Sequence, residues 1–356
     1  MERVFRALEP LSEALVDKQS TTARAVSSKR NMAAIAFLTT VMRWPDRTQA
    51  LGYVTGFPVV GNIDSSRVFR PITSDALPDL EDGFFGANAV AEVKKVLQSP
   101  APKDATAIWD LTQEEIAKGY TQPLLTAEEL DKHFGRGRWR PIYRFLIRQG
   151  EKARLIDDGR QGLQNQCSAM AETIFTIGID LVPAIASILA DRLQQDDGER
   201  ESEGDPLPAW CRLHLGTDDL PDAFRGVPVH PQQQGAAVVA IWSPLDKAWR
   251  FGIMNECPLG IGSVVVTFNR YPTLTTAFQR RILGLLSGAY FDDVLLLDLA
   301  YSSQRAKHLL GWSFEGLGTP SKPSKSFPMS SHRALLGAMI DLNRFNTDGI
   351  VDIAPK

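Results

Sequence analysis

The chain has 356 residues, 44% of them hydrophobic and 23% charged, with a formal net charge of -3. That apolar content excludes a disordered or fibrous chain and allows a sizeable core, divided into roughly two or three subdomains. The near balance of charge leaves nucleic-acid binding to be argued from local clusters alone. Three cysteines without Cys-x-x-Cys spacing exclude a disulfide framework, and five scattered histidines support no zinc site.

The opening Met1-Glu2-Arg3-Val4-Phe5-Arg6 is amphipathic and lacks the apolar core of a secretory signal, so an intracellular, non-secreted protein with reduced thiols is expected. Residues 1–45 are helix-like, most clearly 31–42, and the stretch to 104, rich in Gly, Pro and Asp, predicts short extended runs. Thr112-Gln113-Glu114-Glu115 and Thr126-Ala127-Glu128-Glu129 each predict a helix start, a hydroxyl cap followed by first-turn acids. Residues 130–165 predict a hairpin turning near Gln149-Gly150, and 166–193 a joining helix. Its most apolar part, 174–193, contains Asp180 and Asp191 and reads as buried rather than membrane-spanning. An acidic, solvated loop over 194–208 follows. Beyond it the pattern predicts a strand over 212–220, a short helix after Asp222, strands over 236–241 and 248–254, and a helix over 262–281. No internal repeat is present.

The next element is a hairpin whose strands are the apolar runs 284–289 and 294–299 and whose turn carries Tyr290-Phe291-Asp292-Asp293. Two adjacent acids at such a tip cannot be buried cheaply and seek a cation. A second acidic strand end lies upstream at Asp218-Asp219-Leu220-Pro221-Asp222-Ala223-Phe224. Two-metal phosphoryl transfer needs carboxylates brought together from separate strands, and the pair suggests a nucleotidyl-transferase palm. Between Lys132 and Arg154, Arg136, Arg138, Arg140, Arg144, Arg148 and Lys152 face a single acid, Glu151, with Phe134, Trp139, Tyr143 and Phe145 interleaved. Such a strip suits phosphate contacts and base stacking, and on its own reads equally as a solvated basic face.

In this order the motifs resemble those of retroelement reverse transcriptases. Asp219 to Phe224 is similar to the first palm motif, and Pro258-Leu259-Gly260 with Ser263, Phe268 and Asn269 to the second. Tyr290 to Asp293 is similar to the third, and Lys325 and Leu336-Gly337 to the last two. Upstream, Lys152-Ala153-Arg154-Leu155-Ile156-Asp157-Asp158-Gly159-Arg160, with Leu163 and Asn165, resembles the fingers segment that grips the triphosphate. The resemblance covers about residues 130–342 and implies an α+β right-hand polymerase, its antiparallel palm sheet backed by helices. The expected divisions are 1–104 without an assigned role, 105–208 with the fingers, 209–342 with the palm, and 343–356 as the start of a connection.

The implied activity is RNA-directed DNA synthesis on an RNA or DNA template-primer from deoxynucleoside triphosphates, with two Mg²⁺ ions or Mn²⁺ and no membrane. Asp219 and Asp292 would hold the metal, with Asp293 as a weaker ligand, and Lys325 would assist catalysis. Asp218 is expected to be a turn or cap acid. Lys152, Arg154, Phe224 and Gly260 would face the nucleotide, Phe224 as a ring that collides with a 2′-hydroxyl, while Arg136, Arg138, Arg140 and Arg144 would grip nucleic acid. Taken alone, Lys152 and Arg154 read as solvated cations and Phe224 as a core aromatic. Asn165 would hold the fingers turn. Two departures stand out: Leu259 replaces the glutamine many members carry before the glycine, and almost nothing follows residue 342 that could form a thumb or RNase H. Those domains would belong to a longer polyprotein. A nucleic-acid-binding relic and another palm-type polymerase remain as alternatives.

Overall fold

The computed structural model describes residues 1–73, 79–150, 152–196, 211–220, 223–321 and 326–356. Lys325, Glu151, Asp222 and nearly all of the expected acidic loop lie outside these. Helices α1 (Glu2–Val16), α2 (Thr21–Ser27), α3 (Met32–Val41) and α4 (Gln49–Thr55) come first, followed by the short strands β1 (Gly61–Ile63) and β2 (Arg70–Pro71). Asn31 caps α3 by accepting a hydrogen bond from the Ala34 amide. A π-helical turn, Leu80–Phe84, leads into α5 (Gly86–Gln98), α6 (Ala105–Ala117) and α7 (Ala127–Phe134). Helix 86–98 falls where extended runs were expected. The Thr126 start is a full capping box with Glu129, but Thr112 lies inside α6, its hydroxyl donating to the Ile108 carbonyl rather than capping.

Strands β3 (Pro141–Gln149) and β4 (Lys152–Asp158) form the expected hairpin, with Gly150 at positive φ in its turn. The joining helix is shorter than its apolar run implies: β5 (Ser168–Met170) and β6 (Glu172–Thr173) precede α8 (Leu181–Asp196). Val182 and Ala186 of α8 are buried while Ile188 faces solvent, so the helix is buried on one face only. Among the described residues no helix is long and apolar enough to cross a membrane.

The rest of the chain comprises β7 (Leu213–Asp219), a 3₁₀ turn Ala223–Gly226, β8 (Val238–Ser243), β9 (Ala248–Ile253), α9 (Gly262–Arg281), β10 (Leu286–Tyr290), β11 (Asp293–Leu299), α10 (Ser303–Gly316), β12 (His332–Leu335), β13 (Ala338–Asp341), α11 (Phe345–Asp348) and β14 (Asp352–Pro355). The whole is mixed α+β. Strands β8 and β9, expected in the palm sheet, instead continue the hairpin sheet in the order β4-β3-β8-β9, with β8 parallel to β3. The acidic strands form a separate antiparallel sheet, β10-β11-β7. Leu336-Gly337 is a two-residue turn with positive φ at both positions, and β14 completes a β12-β13-β14 sheet.

The β10-β11-β7 sheet is covered on both faces, which explains why β11 reads as an unbroken apolar run. Side chains alternate along it: Val294 and Leu296 join the main core with Phe268, Phe278, Leu310 and Phe314 of α9 and α10. Leu295 and Leu297 meet Leu213, Leu215, Val182 of α8 and Ile340 in a second core. The N-terminal helices belong to the main core. Arg30 lies between the Tyr53 and Tyr271 rings, 4.4 and 4.3 Å from their centroids, and Asp46 holds Arg270 of α9 through two hydrogen bonds of 2.6 and 2.7 Å.

The hairpin sheet is tied to the segment leading into α9 at Gly260. The Asp157 amide of β4 donates to the Leu259 carbonyl at 2.9 Å, and a Cβ on Gly260, whose φ is +118°, would strike the Asp157 carbonyl oxygen. Gly260 is thus required by this close approach. Gly260→Ala should cost at least about 2 kcal/mol, because the left-handed penalty of roughly 1–2 kcal/mol comes with a backbone collision. Gly284→Ala, also at positive φ but with open space around it, should lose only the first part. Urea denaturation of both variants measures the difference.

Candidate active site

The acidic residues converge because β7 and β11 are neighbours. Asp219 pairs in register with Asp293, and the Leu220 amide donates to the Asp292 carbonyl at 2.9 Å, which places the hairpin turn beside the end of β7. The turn has two residues, Phe291 and Asp292, since Tyr290 pairs with Asp293. Phe291 adopts φ +53°, a conformation a bulky side chain rarely takes and one often found at functional sites.

Alternation along β7 separates the two adjacent acids. Asp218, expected to be a turn or cap acid, is instead buried and ion-paired with Lys307 of α10 at 2.9 Å; Lys307 also donates to the Thr217 carbonyl. Asp219 points the other way into a cleft of about 350 Å³. The same cleft is lined by Asp292, by Arg154 and Leu155 of β4, by Phe224 and Arg225 of the 3₁₀ turn, and by Leu259. Asp293 is exposed at the start of β11, outside the cleft lining, and Lys152 is exposed near the tip of the β3–β4 hairpin. Phe224 is half-buried, stacked on Phe268 with ring centroids 4.1 Å apart. Ser263 donates to the Val59 carbonyl and Asn269 to that of Val265, so both act within the scaffold. Asn165, expected to hold the fingers turn, ties that loop to the start of α9, donating to the Gly260 carbonyl and accepting from the Gly262 amide.

The expected nucleic-acid strip divides. Arg136 is exposed, and Arg138 is exposed but paired with Glu81. Arg140 and Arg144 are buried and cannot reach a template. Arg140 donates to the Gly162 and Phe84 carbonyls at 2.7 and 3.1 Å. Arg144 holds Asp157 at 2.7 Å and Glu115 at 2.5 Å and also donates to the Thr112 hydroxyl. The reason is strand alternation: even-numbered β3 residues near Arg144 face α6, whereas Phe145 and Ile147 on the other face are each 40% exposed.

Arg144 belongs to a buried ionic cluster beneath the cleft. Glu115 binds Arg144 through one oxygen and Arg225 through the other, the latter at 2.5 Å, and Arg225 also pairs with Glu256. Burial pushes the Glu256 carboxyl up to about 8, against the pull of Arg225, and so favours its neutral form. Arg144, Arg225, Glu115 and Asp157 then cancel, which is how so many ionisable groups share one interior.

Motif reading missed the α6 wall of the cleft: Glu114, Glu115, Lys118 and the following Tyr120 line it, as does Arg225. No catalytic or binding motif marks α6, whose Thr112 to Glu115 read only as a helix start, whereas Arg225 adjoins Phe224 and was accessible by position. Among the described residues no three His, Cys, Asp or Glu side chains form a metal cage by themselves. Asp219 and Asp292 nonetheless suit Mg²⁺, which is commonly held by one or two carboxylates together with waters and substrate phosphates. No protein-family model matches the chain, and no curated protein matches it in sequence.

Two expectations follow. Arg144→Met should cost about 3–5 kcal/mol by stranding buried carboxylates, while Arg136→Ala should stay within about 0.5 kcal/mol. Glu256 has a folded-state pKa above its unfolded value, so its share of stability is largest below about pH 4.5 and declines up to about pH 8, where it levels. The melting temperature of Glu256→Gln relative to the parent should therefore rise between pH 5 and 8, and a flat difference would show that Glu256 is ionised when folded.

Proposed function

We propose that the protein is an RNA-directed DNA polymerase of the reverse-transcriptase kind, extending a primer with deoxynucleotides. One observation carries this reading. A single cleft gathers Asp219, Asp292, Arg154 and Phe224, which come from separate segments and are among the positions the motif resemblance singles out for metal, triphosphate and sugar. The fingers-and-palm description is part of the same proposal: the hairpin sheet supplies Arg154, and the β10-β11-β7 sheet supplies both carboxylates.

Asp219 and Asp292 are the residues that would hold Mg²⁺, which when bound supplies charge neutralisation at the triphosphate and acidifies the primer 3′-hydroxyl. Arg154 offers a guanidinium to phosphate oxygens from the facing wall. Phe224, braced from behind by Phe268, presents a ring that limits room beside the sugar and favours deoxynucleotides. Lys325 is proposed to assist catalysis by its place in the motif order. Template-primer contacts are assigned to the exposed Arg136, Arg138 and Lys152, not to Arg140 or Arg144.

The test is primer extension on an RNA template with deoxy- or ribonucleotides and Mg²⁺ or Mn²⁺. Asp219→Asn and Asp292→Asn should each lower the rate by at least about 10²–10³-fold, the scale of losing one transition-state charge contact, and leave template binding largely intact. Near-parental activity in either variant removes that residue from the site. Phe224→Val should raise ribonucleotide use relative to deoxynucleotide use, by about tenfold for each 1.4 kcal/mol of steric discrimination lost.

A further inference from the structure

Phe224 takes its position from the turn that carries it as well as from Phe268. It sits on Ala223–Gly226, a single 3₁₀ turn whose poor hydrogen-bond geometry gives little intrinsic rigidity. One ring face rests on Phe268, and the ring borders the cleft. The adjacent side chain anchors the turn more firmly. Arg225 pairs with Glu115 of α6 and with Glu256, lies over the Tyr120 ring at 5.5 Å, and borders the same cleft. Behind the turn, Arg30 donates to the Gly226 carbonyl at 3.3 Å and the Cys257 amide to that of Val227 at 2.8 Å. The turn is therefore tied on one side to the cleft wall and on the other to the segment leading to Leu259 and Gly260.

Building on the polymerase reading, we infer that Arg225 is a positioning residue that sets sugar selectivity, clamping the Phe224 turn between Glu115 and Glu256 so that the ring stays against the nucleotide sugar. Exclusion of a 2′-hydroxyl depends on where a ring lies to within a fraction of an ångström, and a shift of about 1 Å can change rates by about 10²-fold. A simple packing role for Arg225 would lower both activities together. A clamp role changes their ratio.

The expected signature is specific. Arg225→Met, which keeps the aliphatic stem, should raise the ribonucleotide to deoxynucleotide ratio of kcat/KM by about tenfold or more, roughly the effect of 1.4 kcal/mol. Arg225→Lys should recover part of the selectivity. In a Phe224→Val background the ratio should no longer respond to Arg225→Met, because the ring through which the clamp acts is gone. Arg225→Met takes the guanidinium away from both Glu115 and Glu256, so Arg225→Met with Glu115→Gln and Glu256→Gln removes the two facing carboxyls as well and serves where the single variant fails to fold. Equilibrium titration of the parent and these variants with a deoxynucleoside and a ribonucleoside triphosphate gives the same comparison without turnover. Sugar preference unchanged within twofold in the folded variants overturns the clamp even if the parent polymerises. A parent that binds neither triphosphate overturns the polymerase reading and the clamp with it.

Discussion

Buried charge neutralisation is the constraint on which the cleft depends. Arg144 reaches Asp157 on the neighbouring strand and Glu115 on α6, and Arg225 reaches Glu115 and Glu256. The members come from four walls: the hairpin sheet, which supplies Arg144 and Asp157, the α6 helix, the Phe224 turn and the segment before Gly260. A buried guanidinium without its carboxylates costs several kcal/mol, so no wall can move away without exposing or stranding a charge. Hydrophobic burial sets the compactness of the chain, but it is non-directional. The ionic cluster supplies the directional restraint that holds the walls at one spacing.

Much of the fold near the carboxylates was legible. The helix over 262–281 coincides with α9, and the apolar runs around Tyr290–Asp293 form β10 and β11. Local pattern suffices there: each element carries its own periodicity and ends at a turn. The elements misread are those whose fate is decided by distant partners. Thr112 has the sequence of a cap, but it lies inside a helix already begun at Ala105, and its hydroxyl faces a guanidinium. Strands β8 and β9 have ordinary strand composition, and nothing in them names β3 as the partner.

The arginines show how one inference, carried further, would have succeeded. A hairpin that pairs Gln149 with Lys152, its turn one residue beyond the expected Gln149-Gly150, places Arg144 directly opposite Asp157, and the observed register does so. Cross-strand pairing of opposite charges therefore marked Arg144 as internally satisfied. Arg140 gave no such signal, since it donates to the main-chain carbonyls of Gly162 and Phe84 and its ion-pair partner, Glu92, lies on the distant α5. Glu115 and Glu256 likewise could not be paired with Arg225 without knowing that α6 packs beneath the hairpin.

The parallel pairing of β3 with β8 has a consequence for how the chain is made. The β3–β4 hairpin closes locally, and its Arg144–Asp157 pair can form as soon as β4 is synthesised. Its other edge, with Ile142 buried in the finished core, has no partner until β8 has been synthesised far downstream. During that interval β3 is an open strand edge, the kind of surface on which nascent chains join one another instead of folding. Synthesis slowed between the two strands would lengthen the exposure, so yield of folded protein should depend on translation speed through this stretch more than on the stability of the finished structure.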